Sequence, residues 1–159
     1  MPIIRCALTV DSLDKAIAEV KAYGDKVRQA ETVIVKRLAE DGAKQAQDLV
    51  AYMNAVDTGE LMGSITHEES GNTGKIIAGA EHAAYVEFGT GVVGAGSPHP
   101  NPVGWAYDIN GHGEAGWIYK GDDGHLHWTR GMASRPYMYD TAQMLAEAVP
   151  QIAEEALGV

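Results

Sequence analysis

Asp25–Asn54 reads DKVRQAETVIVKRLAEDGAKQAQDLVAYMN, and its apolar spacing decides the architecture. Val27, Ala30, Val33/Ile34, Leu38, Gly42, Gln45/Ala46, Leu49 and Met53 fall every three or four residues, the period of one helical face. At ~1.5 Å per residue this stripe runs for roughly 40 Å, longer than one small domain comfortably covers. Either part of it faces another subunit, or the helix lies lengthwise on its own sheet with a bend at Gly42. Upstream, Leu13, Ala16, Ile17 and Val20 predict a shorter amphipathic helix that Asp11 caps and that ends near Gly24. Ile3–Val10 is short and apolar, consistent with an edge strand.

Downstream of Asn54 the period changes. Ser64–Glu68 and Lys75–Ala78 flank Gly71-Asn72-Thr73-Gly74 and read as a β-hairpin. Glu81–Phe88, with Ala83, Ala84, Val86 and Phe88, fits a short helix or a strand, the helix better. Gly89–Gly116 is rich in Gly and Pro, with Pro98, Pro100 and Pro102 alternating, and reads as an irregular arm that reaches outward. Trp117–Lys120 and His125–Trp128 form a second hairpin around Gly121–Gly124. Pro136 opens a last helix whose stripe, Met138 to Leu157, is interrupted at Pro150. The sum is an α+β fold: N-terminal helices including one long helix, an antiparallel sheet of two hairpins, and a C-terminal helix. The expected organisation is one domain over 1–159, with a helical part at 11–54, a β part at 57–130 carrying the arm at about 92–116, and the closing helix at 136–157.

Across its 159 residues the chain holds 12 Lys+Arg against 22 Asp+Glu, a net charge of −10. Residues 1–56 balance eight basic against eight acidic side chains, so the whole excess lies in 57–159. An acidic chain speaks against gripping nucleic acid through its phosphates. The lone Cys6 excludes an intramolecular disulfide and a cysteine-rich zinc site. No apolar run reaches membrane-spanning length, and Met1–Val10 lacks the pattern of a signal peptide, so a soluble, cytoplasmic product is expected.

Motifs for chemistry are weak. Gly89-Thr90-Gly91-Val92-Val93-Gly94 matches G-x-G-x-x-G, but it runs into Ala95-Gly96-Ser97-Pro98, which cannot open a helix, and no βαβ unit surrounds it. His125 and His127, two apart on a strand, would share a face and could bind a metal for hydrolysis, with His99, His112, Asp122 or Asp123 as further ligands. Seven of the eleven aromatics lie between Trp105 and Tyr139. They are core, or a protein interface through Trp105, Trp117, Tyr119 and Trp128, or a sugar-stacking platform of Trp105, Trp117 and Trp128. No nucleophile elbow, P-loop or H-E-x-x-H is present. The expected site therefore has no catalytic residue, no cofactor and no metal.

Three segments in order carry a resemblance. They are Val56-Asp57-Thr58-Gly59-Glu60-Leu61-Met62-Gly63-Ser64-Ile65, Ala83-Ala84-Tyr85-Val86-Glu87-Phe88-Gly89-Thr90-Gly91, and Arg130-Gly131-Met132-Ala133-Ser134-Arg135-Pro136-Tyr137-Met138. Together they resemble the tail-completion, or head–tail joining, proteins of long-tailed double-stranded DNA phages and prophages. Thr58 suits an N-cap for a turn at Gly59–Gly63, Gly89 and Gly91 permit positive φ, and Arg135-Pro136 places a charged anchor before a helix. The resemblance implies a non-enzymatic virion protein at the neck, forming a ring, commonly a hexamer, between the tail-tube protein and the head-completion or connector protein. DNA would pass through without specific binding, and no membrane is involved. Asp57, Thr58, Gly59, Leu61, Tyr85, Glu87, Phe88, Gly89, Thr90, Gly91, Arg135 and Pro136 are then assembly residues. Some of Glu60, Glu68, Glu69, Glu81, Asp122 and Asp123 would line the channel.

Overall fold

A computed structural model describes residues 9–55, 59–121 and 123–158. Its backbone is one long helix, α1 (Val10–Tyr52), against which the first hairpin, the short helix before it and the closing helix pack. The expected break at Gly24 does not occur: the two predicted helices are one of 43 residues, roughly 65 Å long. A glycine inside a helix costs about 1 kcal/mol, which Ala16, Ala18, Ala22 and the lysines around it offset, and no proline falls within α1. The start also differs. Thr9, not Asp11, is the cap, accepting from the Ser12 N–H at 3.4 Å, and Val10 is already helical. The proposed strand otherwise lies outside the described residues, as do Cys6, Asp57, Thr58 and Asp122.

A five-residue helix α2 (Glu60–Ser64) leads into the hairpin β1 (Ile65–Ser70) and β2 (Thr73–Ala78). Pairing runs from Ile65 opposite Ala78 to Ser70 opposite Thr73, so the turn is Gly71-Asn72 alone, tighter than the four residues expected. Short helices α3 (Ala83–Phe88) and α4 (Gly91–Gly96) follow. The reading of Gly89–Gly116 as irregular is corrected at its start by α4, which ends at Gly96; Ala95–Pro98 opens no helix, and no βαβ unit accompanies it among the described residues. Tertiary contact holds α4: the Val93 N–H reaches the Arg130 carbonyl, and Gly94 lies where a side chain would collide with Tyr107. After a 3₁₀ turn at Gly113–Ala115 come β3 (Trp117–Lys120), β4 (Leu126–Thr129) and the two-residue β5 (Gly131–Met132). The two hairpins form separate two-stranded sheets.

Helix α5 (Tyr137–Leu157) closes the fold and passes straight through Pro150. It runs antiparallel to α1, with Arg37 ion-paired to Glu155 at one end and Gln45 against Met144 further along. Small residues on α1 make room: Ala39, Gly42, Ala43 and Ala46 are buried. A Cβ on Gly42 would stand 2.7 Å from Leu145 Cδ1 and would also strike the end of Ile76 from β2. The core gathers Ala43, Ala46, Val50, Leu61, Ile65, Ala83, Val86 and Tyr137. The first buried residue along α1 is Ala30, so the preceding twenty helical residues hold no buried side chain.

Candidate functional site

The second and third quoted segments meet in space. Helix α3 ends at Gly89, whose φ of 80° lies in the left-handed region. A Cβ there would sit 2.7 Å from the Ser134 nitrogen and 2.8 Å from the Met132 carbonyl oxygen, so only glycine fits. The chain then pairs Thr90 with Met132 and Gly91 with Gly131 in a short antiparallel bridge. Ser134 Oγ donates to the Glu87 carbonyl at 2.6 Å, and the Arg135 N–H donates to the Val86 carbonyl at 2.9 Å. Arg135, read as a charged anchor, is thus held through its backbone, and Pro136 is the N-cap of α5.

Glu87 is the centre of this junction. Its side chain is buried, 8% exposed, and accepts from the Met138 and Tyr139 N–H groups at 2.9 Å each. Those amides belong to the first turn of α5, where backbone donors lack helical partners and a negative charge is favoured. Its third donor is His99 Nε2 at 3.0 Å. His99 Nδ1 accepts from the Asn101 N–H at 2.9 Å, which assigns the ring proton to Nε2, facing the carboxylate. Beside them the Tyr137 hydroxyl donates to the Ala83 carbonyl at 3.3 Å. Burial first, and the nearby Glu87 charge second, push its pKa up to about 12. A carboxylate so saturated with donors has the geometry of a latch.

The expected outward-reaching arm folds back over this latch. Trp105 stacks on Phe88 with ring centroids 4.9 Å apart and donates to the Gly89 carbonyl at 2.9 Å. Tyr107 accepts from the His99 N–H. Asp108 accepts from the Gly113 and His112 amides, which hold its carboxyl below the usual range. Between arm and second hairpin lies an open cleft of about 550 Å³, bordered by Tyr85, Trp105, Tyr107, Trp117 and Tyr119.

Trp128 does not border it. Strand alternation puts Trp117 and Tyr119 on one face of the hairpin and Ile118 with its partner Trp128 on the other. The three-tryptophan platform is therefore not assembled. Ile118, Leu126 and Trp128 instead stay more than 60% exposed.

His125 lies just before β4, which begins at Leu126. His127 Nε2 engages Asp123 at 2.9 Å. The His125 amide first, and His127 second, hold the Asp123 carboxyl below the usual range. Among the described residues the one cluster with metal-ligand spacing is Glu40, His67 and Glu69, fully on the surface and apart from both.

Sequence reasoning named Glu87 without its partners and placed His99 among possible ligands. No spacing signals their contact, and Ser134 went unnoticed except inside a motif.

The geometry defines a structural junction: a latch that fixes a closing helix, with apolar surface left outside. Over residues 14–89, just under half of the chain, the sequence matches the family model described as "Bacteriophage HK97-gp10, putative tail-component". The likeness supports a phage tail or neck family and a structural role in a virion. No curated protein and no solved structure matches the chain. No helix among the described residues is long and apolar enough to cross a membrane.

Proposed function

We propose that the chain completes the phage tail and joins it to the head, as a ring seated between the tail-tube protein and the head-completion or connector protein. The observation that carries this reading is the match over residues 14–89, which spans most of α1, the first hairpin and α3 up to the glycine of the latch. The third segment, outside the matched range, supports it by closing onto α3 through Glu87 and Ser134. Apolar surface exposed among the described residues gives such a protein something to assemble with: the N-terminal half of α1, and the Ile118–Trp128 face. The role needs no turnover, and the latch carboxylate is committed to α5 amides rather than to a substrate.

Deleting the gene from an inducible prophage that carries it tests the proposal. The expected particles, seen by electron microscopy, are DNA-filled heads and separate tails. Normal joined virions from the deletion strain overturn it.

A further inference from the structure

We infer that the projecting half of α1 is a self-docking seam on which a second copy of this chain lies antiparallel. Val10, Leu13, Ile17, Val20 and Val27 are 39–74% exposed, and with Gly24 they recur at alternating spacings of three and four. That is the two-position stripe of a coiled-coil seam, not a broad core-facing face. A membrane surface would want a cationic flank, whereas acidic and basic side chains alternate here (Asp14, Lys15, Glu19, Lys21, Asp25, Lys26).

The order of side chains selects the direction. In an antiparallel pair with its two-fold axis between residues 18 and 19, Val10 meets Val27 of the second copy, Leu13 meets Gly24, and Ile17 meets Val20. Each contact repeats across the axis to give six layers over about 26 Å. The large Leu13 fills the space that Gly24 leaves. Flanking the layers, Asp14 faces Lys21 and Ala16 faces Tyr23, twice each. A parallel pair sets Gly24 on Gly24, leaving a void, and brings Asp14 opposite Thr9 and Lys21 opposite Ala16, with no opposite charges. Charge and volume both complement only in the antiparallel order.

Two and a half heptads fall short of the three to four that mark a free-standing coiled coil. The association is accordingly concentration-dependent and weak. A two-fold contact closes on itself and adds no further subunit, so it goes beyond the ring of the joining role and is independent of it.

Sedimentation equilibrium of the full chain from micromolar to millimolar concentration tests the seam. Reversible dimerisation is expected. Asp14→Lys or Lys21→Asp alone should weaken it about tenfold, and the double exchange should restore it. Gly24→Leu should raise helicity by circular dichroism yet weaken association, because the new side chain meets Leu13 of the other copy. A monomer throughout, no rescue by the double exchange, or stronger association of Gly24→Leu would each overturn the seam. A monomer would assign the stripe to another virion protein and leave the joining role to the deletion experiment.

Discussion

Glu87 shows how much one side chain can hold. Its buried oxygens receive two part-buried amides of α5 and the ring of buried His99. Removing them strands those donors, and a buried donor without a partner costs about 1–3 kcal/mol. Glu87→Ala should therefore lower stability by about 3 kcal/mol in urea unfolding, and Glu87→Gln by about half that, since one amide group still accepts. Tyr137 beside it supplies a pH signature. Its hydroxyl ionises at about 12 in the fold against 10.0 ordinarily. A raised folded value means that this stability is whole below pH 10 and is lost as the pH rises toward 12, because the unfolded chain gives up the proton first. Tyr137→Phe should flatten that alkaline limb in thermal melts run from pH 9 to 12.

At the scale of elements, the face of α1 that receives α5 is made of small residues, and Gly42 is its tightest point. Ile76 and Leu145 both end where a Cβ would be. Gly42→Leu gains helix propensity but overfills the groove, and overpacking of this kind costs about 1–3 kcal/mol. The chain should melt several degrees lower by circular dichroism. The long helix, both hairpins, α3 and the closing helix were legible from period and turn residues, because those signals are local. Continuity through Gly24 was not legible. A glycine marks a plausible end, and only the absence of a competing turn or proline lets the helix run on. Helix α4 was hidden for the opposite reason: its own residues disfavour it, and contacts with Arg130 and Tyr107 from distant segments hold it. The latch was half legible. Glu87, Gly89 and Pro136 stood in the quoted segments, but bonds spanning about fifty residues leave no spacing to read.

Across the whole molecule, charge and shape divide the same way. The projecting helix half is nearly neutral and apolar along one side, while the excess acid lies in residues 57–159, in the folded body. Glu60, Glu68, Glu69 and Glu81 are exposed there, while Asp123 is occupied by His127. In a ring that passes a genome, such carboxylates on the inner wall would repel phosphate and keep DNA moving. If the chain forms the proposed ring, an electron-microscopy map of it should place some of the four glutamates toward the channel. All four on the outer wall would reduce the charge to a matter of solubility.

The latch also imposes an order in time. Its acceptor is in place once α3 is made, but its donors belong to residues 138 and 139, about fifty residues further along the chain. Until α5 emerges from synthesis, the small-residue groove of α1 has no cover and the Glu87 carboxylate no amides to receive. Docking of α5 thus follows the making of α1 to α3, as a contact between distant parts of the chain that can form only when both exist. A product stopped before Tyr137 would keep its hairpins and long helix in sequence yet expose the groove at Gly42, the state in which a cell's proteases find it.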